Sequence, residues 1–175
     1  NFLQIIIRAT GVTFAYAVCG TLLSIAIGFL GGIVSSEIWW HAVWPNRAGR
    51  SVVRGLLSIP RAIHELILGL VLVNLLGLDP LVAILAITIP FSAIVAKVFS
   101  EILDETPRAP MQLLVSAGVT PPSAVLYGLL PQALPNLLSY SFYRFECALR
   151  SSAVLGIIGA GGLGYEIFLS LQSLR

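Results

Sequence analysis

The chain has 175 residues, of which 57% are hydrophobic and only 10% charged, and its mean hydropathy is +0.94. Soluble domains carry about 25% charge, and this much apolar surface in water would stay partly exposed and aggregate, so lipid is the natural solvent for it. The net charge of +2 is small and scattered, which argues against a nucleic-acid binder.

The two cysteines, Cys19 and Cys147, lie inside apolar stretches without metal-ligand spacing and read as small core residues. Residue 1 is Asn, the single methionine is Met111, and the sequence stops at Arg175 as a new apolar run begins after Glu166. A fragment of a longer chain is therefore expected, lacking at least one helix at the C-terminal end. No basic segment precedes the first apolar run, so a cleaved signal peptide is not indicated.

Residues 12–34 hold no charge and suffice to span a bilayer core of roughly 30 Å. Gly20, Ser24, Gly28 and Gly32 recur there at i, i+4 steps. On a helix they form one stripe of small residues that admits a second backbone at close range. Trp39, Trp40 and Trp44 follow, then Pro45, Arg47, Arg50 and Arg54. Indole rings favour the headgroup level and basic loops favour the cytoplasm, which places this loop inside. A second span is expected over 59–78, with Pro60, Arg61, His64 and Glu65 near its inner end. Gly77-Leu78-Asp79-Pro80 is a tight outer turn. A third span covers 81–99, interrupted by Pro90, with Lys97 and Glu101 placed to pair at its exit.

Residues 104–131 form the next inner segment, read as two short helices. The first covers 107–117, and Gly118 ends it by accepting a left-handed backbone. Thr120 is the N-cap of the second, with Pro121 at its first position. A fourth span runs over 133–158, Gly159-Ala-Gly-Gly-Leu-Gly164 turns on the outer face, and a fifth span begins after it.

The polar island Gln112-Leu-Leu-Val-Ser-Ala-Gly118 with Leu130-Pro131 carries the most information. A rigid helix lying across the membrane face can transmit a push from a soluble partner by seating in a groove. Gly118 would supply the bend, and Leu130-Pro131 would fix the return into the bilayer. An ordinary interhelical loop is the plain alternative. The second feature is Arg144, Glu146 and Arg150 within the fourth span. Each charge costs roughly 2.5–3.5 kcal/mol at a helix centre on insertion scales, so these residues should face a cavity or partners. Glu146 and Arg150 are spaced i, i+4 and can neutralise each other. Arg144 lacks such a partner on its own helix, and Glu65 is the candidate. Snorkelling of both arginines to an interface is the alternative. A cationic lining suits phosphate or phosphonate oxygens.

Two further patterns resolve into packing. His64-Glu65 is no metal pair, since adjacent residues point to different sides of a helix and the other histidine, His41, sits in a loop. Gly159-Ala-Gly161-Gly-Leu-Gly164 matches G-x-G-x-x-G, and 153–158 could pass for a strand before it. A soluble dinucleotide-binding enzyme would need alternating strands and helices, which nothing upstream supplies.

Taken together these residues resemble the permease subunits of binding-protein-dependent ABC importers. Gly118 with Leu130-Pro131, and the glycine turn, fit the broad superfamily. Ile63-His-Glu-Leu66, Leu130-Pro-Gln-Ala-Leu-Pro135, Tyr143-Arg-Phe-Glu146, Arg150-Ser and Val154-Leu-Gly156 resemble the phosphonate and phosphite branch. The resemblance implies an all-α polytopic membrane bundle of the methionine-importer-permease type, with 1–175 as one transmembrane domain in the bacterial inner membrane. It implies no enzymatic activity and no cofactor or metal in this chain, ATP and magnesium being held by a partner. The implied partners are cytoplasmic ABC ATPase subunits, an extracytoplasmic solute-binding protein, a second copy of the permease, and lipid. ATPase coupling is then expected from Gln112, Leu113, Leu114, Ala117, Gly118, Leu130 and Pro131. The translocation path is expected at Arg144, Glu146, Arg150 and Glu65. Gln112 stands where the family carries an acid, and Leu113 and Leu114 where it carries alanines, which points to a weaker or divergent contact with the ATPase. A same-fold importer of an amino acid such as methionine is the nearest rival.

Overall fold

The computed structural model describes residues 2–42 and 47–173, and every regular element among them is helical. The expectations for Trp44 and Pro45, and for the side chains of His41 and Arg47, lie outside the described residues. The first span is a long helix, α1 (Phe2–Ser35), that extends well before the predicted start. A short α2 (Glu37–Ala42) follows, then α3 (Arg47–Ala62). Trp40 joins these two, since its ring lies within 2.6 Å of where a Cβ on Gly49 would stand.

The predicted span over 59–78 is not one helix. It breaks after α3, and α4 (Glu65–Leu76) starts afresh at a bend of 77°. The break has a local cause. His64 is extended, with φ −72° and ψ 137°, and its ring accepts the Leu66 N–H at 3.3 Å, so it caps a new helix. At 12 residues α4 measures about 18 Å, too short to cross a bilayer alone.

Helix α5 (Pro80–Glu105) is capped by Asp79, whose Oδ1 accepts the Leu81 N–H at 2.7 Å, with Pro80 in the first turn. Pro90 does not interrupt it; the helix runs on to Glu105 with Pro90 fully buried. By length and apolarity α1 and α5 can each cross a membrane unaided. Two bent pairs, Gly49–Ala62 with Glu65–Leu76 and Pro121–Ile158 with Leu163–Ser173, would bring the total to four.

The glycine stripe of α1 faces α5. A Cβ on Gly20 would lie 3.0 Å from Ile87, one on Gly28 2.6 Å from Val95, and one on Gly32 2.8 Å from the Phe99 Cβ. The offset is constant, so the two helices run parallel at close approach. Ser24 lies on the same face, its hydroxyl donating to the Gly20 carbonyl at 2.6 Å. The broken unit α3–α4 runs antiparallel to α5: Arg50 reaches Asp104, Arg54 reaches Ser100, and Gly69 lies beside Ala86.

Past α5, α6 (Ala109–Ser116) is shorter than the predicted 107–117, and Gly118 follows it with φ +89°. The predicted second short helix does not stand alone. α7 (Pro121–Ala124) leads through a wide-turned stretch, Val125–Leu129, straight into α8 (Leu130–Leu155). Leu130-Pro131 is therefore internal to a continuous rod, because a proline in the first turns of α8 loses only a bond that the wide turns already rearrange. A second wide stretch, Gly156–Ala160, ends the rod. The strand allowed over 153–158 is helix instead, which removes the dinucleotide-binding reading. Gly161 and Gly162 turn the chain at φ +84° and +82° into α9 (Leu163–Ser173), held by the Leu163 N–H donating to Thr13 Oγ1 at 2.9 Å.

Candidate functional site: an end-on clasp and a charged mid-span face

Two places gather the residues singled out from sequence. The first is the foot of the α7–α8 rod. Helix α6 crosses it at Gly128, where an added Cβ would meet the Met111 backbone and the Leu114 side chain at 3.0 Å. A side chain at 128 would force α6 and the rod to separate slightly, so glycine favours this close approach. Leu114 thus faces the rod, whereas Gln112, Leu113, Ala117, Gly118 and Pro131 are exposed and Leu130 is half-buried. Leu113 is 71% and Tyr127 72% exposed, an apolar surface at the end of the molecule. Gly128 was not singled out from sequence, although it is the one glycine between Pro121 and Leu155. That isolation in an otherwise helical run was the available signal.

A polar knot holds the neighbouring ends in place. Asp104, near the end of α5, accepts from Ser36 Oγ at 2.7 Å and from the Glu37 N–H at 2.8 Å, which anchors the start of α2. Its other oxygen faces Arg50 at 3.4 Å and Arg54 at 3.6 Å. Nothing in the sequence pattern marks Asp104, because its partners are fifty or more positions away. Lys97 and Glu101 pair at 3.4 Å, as their spacing predicts.

The second place is the middle of α8. Arg144 does not meet Glu65. Its Nε donates to the Tyr140 hydroxyl at 2.9 Å, and its guanidinium stands 4.9 Å from the Phe91 ring centre and 5.5 Å from that of Tyr140. The cation is thus held by aromatic faces rather than by an acid. Phe99, edge-on, and Tyr143, tilted, complete the aromatic cluster at 6.2 Å and 5.9 Å from Tyr140. Arg144 forms no ion pair among the described residues, so its outer N–H groups remain available. Glu65 instead accepts from Ser151 Oγ at 2.9 Å and lies 3.5 Å from the His64 ring. It ties the first turn of α4 to α8.

Glu146 and Arg150 pair along one side of α8, and both side chains are well over half exposed. Phe142 and Tyr143 share that side. An exposed ion pair midway along a span is poorly suited to hydrocarbon. This side therefore fits a second protein surface or water better than lipid. Among the described residues no group of His, Cys, Asp or Glu is arranged to hold a metal ion.

A family model described as "Binding-protein-dependent transport system inner membrane component" matches residues 28–175. The chain is 31% identical over 163 residues to the phosphite transport system permease protein PtxC of Stutzerimonas stutzeri, covering 93% of this chain and 58% of that protein. It is 35% identical over 170 residues to the phosphate-import permease protein PhnE of Mycolicibacterium smegmatis, covering 95% and 31%. The methionine import system permease protein MetP of Bacillus subtilis is 30% identical over 129 residues, covering 70% and 58%. The chain thus spans less than two thirds of the length of each of these relatives. In fold it is similar to a chain of the inward-facing MetNI methionine ABC transporter, with TM-score 0.84 at 24% identity over 94% of this chain and 79% of that one.

Proposed function

The chain belongs to the family of binding-protein-dependent transport system inner membrane components, and from that premise we propose that it is the permease half of an ATP-driven importer for a phosphorus oxyanion of the phosphite or phosphonate class. In this reading it crosses the bacterial inner membrane several times as one of two copies. It works with a cytoplasmic ATPase, which holds the ATP and magnesium, and with an extracytoplasmic solute-binding protein.

The observation that carries the solute class is Arg144. It is a cation at mid-span, held by aromatic rings, with no acid committed to it among the described residues. A guanidinium so placed keeps forked donors for an oxyanion. The names of the phosphite- and phosphate-transporting relatives support the same class. Glu146 and Arg150 would line or brace the path, and Glu65 would set the position of α4 beside it. Gln112, Leu113, Ala117 and Gly118 would dock the ATPase. Leu114 would transmit the contact to the rod through Gly128, and Leu130 and Pro131 would continue it into α8.

The similarity to methionine permeases favours a second reading, import of an amino acid. Competition decides between the two. With the complete transporter in proteoliposomes, phosphite or a phosphonate should suppress uptake of labelled phosphonate, and methionine should not. Uptake of labelled methionine, with none of labelled phosphonate, would transfer the assignment to the second reading. Replacing Gly118 by Val forces φ +89° on a β-branched residue. The substitution should abolish uptake while the binding protein's affinity is unchanged; unaltered uptake would count against the coupling role.

A further inference from the structure

A cavity of ≈ 220 Å³ opens between α1, α3 and α5, lined by Ser35, Arg54, Leu57, Arg61, Lys97, Ser100 and Glu101. Its ionisable lining holds three cations and one acid. Glu101 is engaged by Lys97 at 3.4 Å, and Arg54 shares Asp104 with Arg50. Arg61 has no acidic partner among the described residues, and its side of α3 is exposed. Two serine hydroxyls stand beside these cations.

The cavity lies toward the end of α5 that carries the polar knot. On the opposite side of α3, Val52, Leu56 and Ile59 are each more than 60% exposed. They recur at i, i+4, i+7 and make an apolar ridge that faces away from the charged cavity, so α3 is amphipathic with its cationic side on the recess. The volume admits a tetrahedral oxyanion with several waters of about 30 Å³ each.

We propose that this recess binds a phosphate-type oxyanion at the inner membrane surface, with Arg61 as its principal donor and Lys97, shared with Glu101, as a second. Basic recesses between membrane helices on that side suit anionic headgroups. The shared chemistry is the phosphate group, supplied either by an anionic phospholipid or by a free phosphate ion. The inference takes its sidedness from the proposed transporter reading but does not depend on which solute is carried.

The test uses the full-length permease, purified in a neutral detergent, with native mass spectrometry as the readout. The probes are phosphatidylglycerol, phosphatidylcholine and inorganic phosphate. Wild-type protein should retain phosphatidylglycerol over phosphatidylcholine, or bind inorganic phosphate saturably when lipid is absent. The first result identifies the lipid as source and the second the free ion. Arg61→Gln should weaken whichever binding is seen by at least about tenfold, as expected for one lost charge-assisted contact to an oxyanion. Lys97→Gln should weaken it too, and Arg61→Lys should restore part of the loss. Arg8→Gln, near the opposite end of α1, lowers net charge equally and should leave binding intact. Equal retention of both lipids with no phosphate binding, or unchanged affinity in both Gln variants, would overturn the proposal. Uptake is not the readout, so an error in the assigned solute leaves this result standing.

Discussion

The seam between α1 and α5 and the exposed side of α8 belong to the same helical bundle yet follow opposite rules. Along the seam, Gly20, Gly28 and Gly32 bring α1 within contact of Ile87, Val95 and Phe99, and nothing charged intervenes. Along α8, Tyr143, Glu146 and Arg150 stand clear of the rest of the chain. In lipid there is little hydrophobic gain from helix association, so the seam rests on dense van der Waals contact. The α8 side gains nothing of that kind within this chain. Its polar groups make sense only against a partner or water. One region is built to stay closed, and the other is left to be completed by something else.

The largest effect should come from spoiling the closed region. Gly28→Leu puts a side chain where even a Cβ would lie 2.6 Å from Val95 and 3.0 Å from the Ser92 carbonyl. Overpacking of this kind costs typically 1–3 kcal/mol, and more where backbone blocks relief. Loss of the monodisperse detergent-solubilised peak on size exclusion is expected; a normal peak would mean that α1 and α5 are not so closely joined. The next largest effect separates folding from transport. Arg144→Met should leave the size-exclusion profile unchanged while cutting phosphonate uptake at least tenfold, with Arg144→Lys recovering only part of it. Equal uptake by the Met variant would remove Arg144 from the path.

The smallest effect sharpens the comparison most. Arg150→Gln leaves Glu146 as a lone charge on α8, whereas the double variant Glu146→Gln with Arg150→Gln leaves none. Uptake in the double variant should therefore exceed that in the single one. A double variant no better than the single would indicate that each charge acts separately.

What could be read from the sequence followed from local periodicity and chain stereochemistry. The α1 stripe, the Asp79-Pro80 start of α5, the left-handed Gly118 and the Lys97–Glu101 pair each depend on residues a few positions apart. The break at His64 was hidden because Arg61, His64 and Glu65 read as the polar inner end of one apolar run, and a capping imidazole leaves no distinct mark on hydropathy. The independence of the second short helix was misjudged because Thr120-Pro121 signals a start but nothing signals that the helix will not stop. Arg144 was assigned an acid on electrostatic grounds; three-dimensional packing supplied Phe91 and Tyr140 instead. Gly128 and Asp104 take their meaning from distant partners, and only the folded chain supplies those.

The unbroken run from Pro121 to Ile158 has a geometric consequence for motion. At 1.5 Å per residue it is a shaft of about 55 Å, and a tilt of about 5° about one end displaces the other by about 5 Å. Since α6 meets the rod near one end at Gly128 and Glu65 ties α4 to it at Ser151, a swing imposed at the α6 end would, in the proposed importer, be carried along the shaft to the start of α4.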